Sequence, residues 1–338
     1  MAALTLGIES QGTSVRAMGA LAELADRAGM DAAWAPELYN RSATISAAEM
    51  AARTHRCRIG TAIAYGVGRS PLTLAAEARD LDEISDGRFV LGLGNGTRRM
   101  IDEWHGQDPS APALRMEELV PLVRELWRLH ERPVDHDGRF YRLHLAPTGD
   151  TLPPLRESIP IYTAGVNPRM VETAGRVADG LLGHALFTVG YLEDVVLPAL
   201  ERGAAHGDRD RAGIRVASLV ISAIHEDAEQ ARREAAAQIA FYSSAKTYAG
   251  LLETCGFGTE GAAIRAAFAA GDFPAMVAAV SERMVDALAL AGTAEEVRAG
   301  LRRYDGILDH LILYAPSYSL SAERAQENAE SLVRECAR

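Results

Sequence analysis

Four side chains that can carry protons stand at positions in the sequence where an apolar stretch ends. They are Glu9, Glu37, Tyr65 and His184. A carboxyl group held away from water has a raised pKa and can act as a proton donor, and histidine can serve the same purpose. Each group also has a structural interpretation: a carboxylate there is more often solvated or ion-paired, for example with Arg41 or Arg69, and a lone histidine is more often a satisfied structural group.

Two glycine-containing segments are a second chemical signal. In Gly92-Leu93-Gly94-Asn95-Gly96-Thr97, glycines let backbone N–H groups approach an anionic or planar ligand. It is not the dinucleotide-binding motif, whose third glycine would fall at Thr97. The second segment, Ala164-Gly165-Val166-Asn167, precedes a helix that starts with Pro168, and helix N-termini attract phosphate. Tight strand packing and an unoccupied capped helix start are the structural alternatives.

The elements that would position these residues alternate along almost the whole chain. Eight strands are predicted, over residues Leu4–Ile8, Ala32–Pro36, Ile59–Ala64, Phe89–Leu93, Ile159–Thr163, Gly180–His184, Ile214–Ile224 and Asp309–Tyr314. Nearly every strand is followed directly by a helix, which implies parallel strands, and eight such units over 338 residues predict an α/β fold of the (β/α)₈ TIM-barrel type. We expect a single domain over residues 1–338, with an open doubly wound sheet as the alternative.

Two stretches interrupt this alternation, at about residues 131–158 and 243–291. The first contains a hairpin turn at 137–141, and the second is predicted to be mostly helical, with helices over Ala262–Ala270 and Phe273–Leu290. His136 and His144 in the first stretch show no metal-ligand spacing, so no metal site is predicted. A capping box at Thr293–Glu296 predicts another helix start.

Composition excludes several kinds of partner. A net charge of -11 and a pI near 5.4 argue against nucleic acid, which needs a concentrated positive surface. No apolar run reaches the length of a membrane span. The three cysteines, Cys57, Cys255 and Cys336, form no CxxC motif, which disfavours a disulfide framework or a zinc site. We therefore expect a cytoplasmic protein that binds a small-molecule substrate.

The barrel prediction also selects the residues that do chemistry, because reacting groups in this fold lie at the C-terminal ends of the strands. The segments at those ends are Glu9-Ser10, Glu37-Leu38-Tyr39-Asn40, Ala64-Tyr65-Gly66, Gly94-Asn95-Gly96-Thr97, Gly165-Val166-Asn167, His184 and Tyr314.

Over essentially its full length the chain resembles the bacterial luciferase-like superfamily, and within it the coenzyme F420-dependent methylenetetrahydromethanopterin reductase branch. The segments that carry the resemblance are 6–9, 69–75, 81–88 with Gly92-Leu93-Gly94, 159–162, 170–180 and 271–293. The last segment usually differs in the flavin monooxygenases of the superfamily. The resemblance therefore implies coenzyme F420 as the cofactor, with FMN as the alternative.

The resemblance also implies roles for individual residues. A non-prolyl cis peptide would fall at Ala62-Ile63, next to Ala64, and press on the face of the deazaflavin. Gly94, Asn95, Gly96 and Thr97 would flank the ring system, and Ala164, Gly165, Val166 and Asn167 would hold the phosphate or side-chain end. Glu9 matches a carboxylate at the end of the first strand in the reductases. A homodimer through helices at about Ser42–His55 and Pro71–Ser85 is also implied.

The sequence departs from the family on the presumed substrate side. Glu37-Leu38 stands where relatives carry Asp-His, Tyr65 where an asparagine is common, and His184-Ala185-Leu186 where an Asn-Ala-Ser type of ending is found. Because fold transfers better than function, the pterin substrate is not carried over.

The leading hypothesis is hydride transfer between C5 of reduced deazaflavin and an electron-poor C=C or C=N bond of a small organic substrate. Glu9 is the first candidate for the proton donor, before Glu37, Tyr65 and His184. The alternatives are an FMN-dependent monooxygenase and a barrel without catalytic activity, which the leucine at position 38 keeps open.

Overall fold

The computed structural model describes residues 3–9, 11 and 14–337. Within them, the strands are β1 Thr5–Glu9, β2 Ala32–Ala35, β3 Arg58–Thr61, β4 Ala64–Tyr65, β5 Phe89–Gly94, β6 Val134–Asp137, β7 Arg142–Leu145, β8 Ile161–Ala164, β9 Gly180–Gly183, β10 Arg215–Ile224, β11 Ala289–Gly292 and β12 His310–Tyr314. Ser10, which the sequence placed at the end of the first strand, lies outside the described residues.

The α-helices in the same part of the chain are α1 Val15–Ala28, α2 Ala43–Arg53, α3 Pro71–Ile84, α4 Pro112–Trp127, α5 Pro168–Val177, α6 Val189–Tyr191, α7 Leu197–His206, α8 Ala228–Ser243, α9 Ala249–Thr254, α10 Gly258–Ala269, α11 Phe273–Ala278, α12 Glu282–Leu288, α13 Ala294–Gly300 and α14 Ala322–Cys336. Short 3₁₀ turns cover Gly66–Gly68, Arg211–Gly213, Lys246–Tyr248 and Leu301–Tyr304, and π-helical turns cover Met100–Trp104 and Leu192–Val196.

The chain has the predicted (β/α)₈-barrel fold. Its main sheet has the order β11-β10-β12-β1-β2-β3-β5-β8-β9, β9 also pairs with β10, and β4 pairs with β5. The pairs β1–β12, β3–β5, β5–β8, β8–β9 and β10–β12 are all parallel. Glu9 lies opposite Tyr314 in the register of β1 and β12, so these two side chains stand at the same C-terminal edge.

Local sequence signals fix most helix starts. The hydroxyl of Ser14 accepts a hydrogen bond from the N–H of Ala17 at 3.0 Å and begins α1. Ser70 caps α3 with Pro71 in its first turn, and Thr293 and Glu296 form the predicted capping box of α13. Each cap satisfies an N–H group that has no partner inside its helix.

The chain comprises two compact units. The first contains residues 1–33, 183–198 and 216–338, and the second contains residues 34–182 and 199–215. In the second unit all six residues of β5 are buried. Trp127 of α4 is also buried there and donates its indole N–H to the carbonyl of Ala75 at 3.0 Å, which ties α4 to α3.

In the first unit the core is built on β12, whose five residues are all buried. The buried side chain of Asn328, on α14, accepts from the N–H of Ile224 at 2.7 Å and donates to the carbonyl of Ser222 at 3.2 Å. Both of these groups belong to β10, so one amide fixes the last helix to the end of that strand.

The prediction of one helix over Phe273–Leu290 is wrong. Ser281 caps a new helix, α12, and the chain then forms β11, in which Ala289 pairs with Ile221 of β10. The alanine- and leucine-rich composition of this stretch favours helix. Pairing with a strand distant in sequence overrides that preference for four residues.

Other boundaries differ by a few residues. The strand predicted over 159–163 covers Ile161–Ala164. The hairpin in the first interruption is confirmed as the antiparallel pair β6–β7.

Two general features bear on the expected environment. Among the described residues, no helix combines the length and the apolar character that a membrane crossing requires. Cys57, Cys255 and Cys336 form no disulfide.

The contact between β3 and β5 leaves no room for a side chain at position 92. A β-carbon on Gly92 would overlap the carbonyl oxygen of Thr61. The Thr61 hydroxyl donates to the Gly92 carbonyl at 2.7 Å and accepts from the Gly92 N–H at 2.9 Å. Backbone atoms on both strands would therefore have to move to admit even a methyl group.

We expect Gly92→Ala to destabilise the protein by about 3 kcal/mol, because overpacking against backbone has no low-energy relaxation. Gly190→Ala is the control, since no atom lies within 4 Å of its added β-carbon and alanine is the better residue in a helix. Urea unfolding of both variants measures the difference. Equal midpoints for the two variants would contradict the packing described for β3 and β5.

Candidate functional site

In the second unit, the C-terminal ends of the third, fourth and fifth barrel strands lie against one another. A β-carbon on Gly94 would overlap Cδ1 of Ile63 and would stand 3.3 Å from Cβ of Ala164. The peptide bond between Ala62 and Ile63 is cis, as the resemblance implied. Ala64 begins β4, which pairs with the end of β5. Five of the residues expected at the cofactor are thus neighbours.

The segment after β5 continues from this contact. Asn95 is buried and donates its amide to the carbonyl of Pro112 at 3.1 Å, which fixes the segment to the start of α4. Gly96 has a φ of +73°, a conformation that favours glycine. The hydroxyl of Thr97 accepts from the N–H of Met100 at 3.3 Å. Gly96 is exposed and Thr97 half-buried, so both are accessible to a ligand.

The segment after β8 leads into a capped helix. Gly165 is buried, and a β-carbon on it would stand 2.9 Å from the backbone of Met170 in α5. Asn167 is exposed and accepts from the N–H of Met170 at 3.0 Å. Val166 is half-buried. The predicted N-cap and proline start are confirmed, with Pro168 in the first turn.

This side of the second unit offers a ligand mainly backbone and small side chains. Gly94 and Ala164 project at most a methyl group, and the hydroxyl of Thr163, next to them, is buried without a partner among the described residues. Such a surface suits a flat ring better than a branched or charged group, because a planar ligand can contact backbone closely.

Glu37 and Tyr65 lie together in the second unit, in an ion-pair network. The carboxylate of Glu37 accepts from both terminal nitrogens of Arg69, at 2.7 and 2.8 Å, and from the N–H of Tyr65 at 2.7 Å. Arg69 also contacts Glu77 at 3.0 Å, and the Tyr65 hydroxyl donates to the carbonyl of Glu37 at 3.2 Å. The structural interpretation of Glu37, pairing with Arg69, is the one observed.

Glu9, in the first unit, has the opposite surroundings. Its side chain is 1% exposed, and neither carboxylate oxygen has a hydrogen-bond partner among the described residues. Burial raises its pKa well above the ordinary value, because a charged carboxylate loses its hydration there. Glu9 is therefore suited to hold a proton at a pH where an exposed carboxyl group has lost it, whereas Glu37 is paired with an arginine.

Four aromatic or imidazole side chains of the first unit surround this region. The hydroxyl of Tyr242 donates to that of Tyr314 at 3.2 Å. The ring of His184 lies 4.9 Å from Tyr242 and 4.4 Å from Tyr248, centroid to centroid. The charge of Glu9 acts on both Tyr242 and Tyr314. We refer to Glu9, His184, Tyr242, Tyr248 and Tyr314 as the Glu9 cluster.

Every titratable group of the Glu9 cluster is shifted toward its neutral form. Desolvation by burial lowers the pKa of His184 to about 3 and raises that of Tyr248 to about 12. Burial, followed by neighbouring negative charge, also raises the pKa of Tyr242 and Tyr314. His184 is thus neutral at pH 7, and it can act there as a hydrogen-bond partner rather than as an acid.

Sequence reasoning did not select Tyr242 and Tyr248. Tyr242 lies near the end of α8 and Tyr248 in the following 3₁₀ turn, whereas the barrel fold points only to residues at the C-terminal ends of strands. The spacing of two tyrosines six residues apart next to the second interruption was the available signal, and it is weak on its own.

The hairpin β6–β7 places His144 near two carboxylates, a proximity that its sequence spacing did not indicate. His144 lies opposite Asp135 in the register of β6 and β7 and contacts it directly. Asp137 is on the same face, so that ligand atoms of the three side chains lie within 4.8 Å of one another. The spacing in the sequence could not reveal this cluster of side chains, because pairing between β6 and β7 brings His144 next to Asp135. All three are exposed, and Arg142 pairs with Asp137 at 3.1 Å.

Comparison with known proteins agrees with this architecture. An uncharacterized protein of Mycobacterium tuberculosis is 33% identical over 85% of this chain and 86% of its own. The 5,10-methylenetetrahydromethanopterin reductase of Methanopyrus kandleri is 28% identical over 82% of each chain. The solved structure of the coenzyme F420 dependent tetrahydromethanopterin reductase from Methanopyrus kandleri superposes with a TM-score of 0.83, at 25% identity, over 99% of this chain and 98% of that one.

A family model described as luciferase-like monooxygenase matches residues 3–310. That range includes every strand-end segment described above for the second unit, together with Glu9 and His184. The chain belongs to the luciferase-like family of oxidoreductases.

Proposed function

We propose that this protein is a coenzyme F420-dependent oxidoreductase. It would transfer hydride between C5 of the reduced deazaflavin and an electron-poor C=C or C=N bond of a small organic substrate. The observation that carries this proposal is the contact of Gly94 with Ile63 and Ala164 at the C-terminal ends of three barrel strands, where active sites of this fold lie. Relatives that use coenzyme F420 support the choice of cofactor.

The residues present fit a planar cofactor. Ile63, Gly94 and Ala164 would bind the ring system, since a β-carbon at position 94 would take the space that Cδ1 of Ile63 occupies. Asn95, Gly96 and Thr97 would flank it, and Gly165, Val166 and Asn167 at the start of α5 would hold its phosphate-bearing end. When bound, the reduced deazaflavin supplies the hydride.

Glu9 is the proton donor in this proposal. Its carboxyl group is buried without a partner, which keeps the proton on the group until a substrate atom of sufficient basicity arrives. Glu37 is a weaker candidate, because Arg69 already neutralises it. Tyr65 is also weaker, because its hydroxyl donates to a backbone carbonyl.

The proposal also includes a cellular compartment and an oligomeric state. The lack of a disulfide among Cys57, Cys255 and Cys336 is consistent with a reducing compartment such as the cytoplasm. A homodimer through α2 and α3 is supported by the exposed apolar side chains of Ile45, Leu72 and Ile84 on these two helices. Light scattering of the purified protein measures the assembly directly, and a monomer at micromolar concentration would remove the dimer from the proposal.

Titration with coenzyme F420 and with FMN tests the cofactor. We expect the protein to bind coenzyme F420 more tightly than FMN. Gly94→Ala should weaken the binding of coenzyme F420 by at least about tenfold, because Ile63 must then move into the ring's position. Gly213→Ala, which meets no atom within 4 Å, is the matched control, and thermal unfolding of both variants separates loss of binding from loss of fold.

Other outcomes of the titration identify the alternatives. Binding of FMN without coenzyme F420 would support the monooxygenase that the family's description names. Binding of neither would support a barrel without catalytic activity. Equal affinity of wild type and Gly94→Ala for coenzyme F420 would move the ring away from Gly94.

The protonation of Glu9 has a measurable consequence for stability. The unfolded chain releases this proton near a pKa of about 4.3, whereas the folded protein retains it to a higher pH. Between these two pKa values the folded state binds more protons than the unfolded state, so the free energy of unfolding decreases as pH rises toward the folded pKa. Glu9 thus destabilises the protein at neutral pH.

We expect Glu9→Gln to be more stable than wild type near pH 7, and the difference to disappear near pH 4. Urea unfolding across this range measures it, and Glu201→Gln, at an exposed position, serves as the control with no pH-dependent difference. Parallel stability curves for wild type and Glu9→Gln would show that Glu9 is ionised in the folded protein and would remove it as the proton donor.

A further inference from the structure

The Glu9 cluster contains two hydrogen-bond donors that no described residue uses. The carboxyl oxygens of Glu9 have no partner. Nδ1 of His184 accepts from the N–H of Leu186 at 3.2 Å, which places the ring proton on Nε2, and no described residue accepts a bond from Nε2. Both groups stand at the C-terminal ends of strands, Glu9 in β1 and His184 directly after β9.

The hydroxyls of Tyr242 and Tyr314, in contrast, are already engaged with each other. Tyr242 donates to Tyr314, and the hydroxyl of Tyr314 also interacts with the side chains of Ser317 and Gln11. Tyr242 connects the two free donors, since its ring contacts His184 and the charge of Glu9 acts on it. These tyrosines are therefore positioning residues that line the donors with aromatic surface.

The two hydrogen-bond donors of the Glu9 cluster carry no positive charge. Burial alone shifts the pKa values of Glu9 and His184, with no contribution from an arginine or a lysine. The nearest basic residue in sequence, Lys246, precedes Tyr248 and is exposed. A carboxylate or phosphate ligand would find no counter-charge here. A cationic ligand would require Glu9 to ionise in an apolar environment, which is costly.

We infer that the Glu9 cluster binds the carbonyl oxygen of an uncharged, conjugated substrate, through the Glu9 carboxyl group and Nε2–H of His184. This inference rests on the proposed function and narrows it: among electron-poor double bonds, it selects a C=C bond conjugated with a carbonyl group. The flat aromatic surfaces of Tyr242 and Tyr248 suit a planar conjugated molecule.

Neutral donors of this kind favour the reduction of such a substrate. As hydride adds to the β-carbon, the C=C π electrons move toward the carbonyl and its oxygen gains negative charge. Fixed donors in an apolar site stabilise that charge without reorganisation. Glu9 then transfers its proton to this oxygen, which gives an enol, and the enol takes up a proton from water at the α-carbon and releases its hydroxyl proton to become the saturated ketone. The C=C bond is reduced, the deazaflavin is oxidised, and Glu9 is left as a carboxylate that takes up a proton from solvent.

Three probes of similar size but different charge test the inference on the full-length protein, alone and with oxidised coenzyme F420 added. They are 2-acetylnaphthalene, which is uncharged with a carbonyl acceptor, 2-naphthoate, which is an anion, and N-methylquinolinium, which is a cation. We expect 2-acetylnaphthalene to bind at least about tenfold more tightly than either charged probe. Its carbonyl stretch, measured by isotope-edited infrared difference spectroscopy, should shift to lower frequency on binding.

Variants locate the interaction. Glu9→Met and His184→Phe each remove one donor, and each should weaken binding of the ketone by about tenfold and reverse part of the infrared shift. Tyr304→Phe is the matched control, because it removes a buried hydroxyl without a partner that lies outside the cluster. Using two independent variants keeps the test decisive if one of them does not fold.

Several results would overturn the inference. Binding of 2-naphthoate or N-methylquinolinium as tightly as the ketone would contradict an uncharged site. A carbonyl frequency that is the same in wild type and both donor variants would show that neither donor contacts the ligand. Because the probes are also titrated without cofactor, failure to bind coenzyme F420 would refute the proposed function while the probe result still stands or fails separately.

Discussion

The close approach of β3 to β5 is the constraint on which the second unit depends. At Gly92 the two backbones are so near that the Thr61 hydroxyl bonds to both the N–H and the carbonyl of one residue. Two residues further along, the same approach brings Ile63 against Gly94. The strand ends can present backbone to a flat ligand only because these positions lack side chains. The tight packing of β3 against β5 and the proposed cofactor surface thus both follow from the short distance between these two strands.

The first unit holds a carboxyl group in surroundings that disfavour its charged form. Glu9 is buried, and burial alone raises its pKa, with no contribution from a cation among the described residues. Glu37 in the second unit is the instructive contrast, since the same residue type at a comparable strand end is neutralised by Arg69. Environment, and not residue type, therefore distinguishes a structural carboxylate from a candidate acid.

Local signals in the sequence were sufficient for most of the fold. The Thr293–Glu296 box caps the helix that it was expected to start, and α5 begins at Pro168 as predicted, because a helix start depends mainly on residues within one turn. β11 was not predicted, since four residues of helix-favouring composition become a strand only through pairing with β10.

The same distinction applies to the candidate site. Glu9 and Gly94 follow from a rule about strand ends, whereas the role of Ala164 and the cis peptide at Ala62–Ile63 follow from resemblance to a family. Tyr242 lies near a helix end and meets His184 only through tertiary packing. Whether each carboxylate has a partner also depends on residues distant in sequence: Glu37 pairs with Arg69, whereas Glu9 has no partner among the described residues. The sequence ranked Glu9 before Glu37 and offered Arg69 as a possible partner, but only the structure shows that Glu37 is the carboxylate that Arg69 pairs with.

The most direct measurement is a crystal structure of the protein with oxidised coenzyme F420 bound. The account predicts electron density for the deazaflavin ring against Ile63, Gly94 and Ala164, with the phosphate-bearing chain at the start of α5. Density for the ring at any other part of the protein, with these three residues free of ligand, would contradict it.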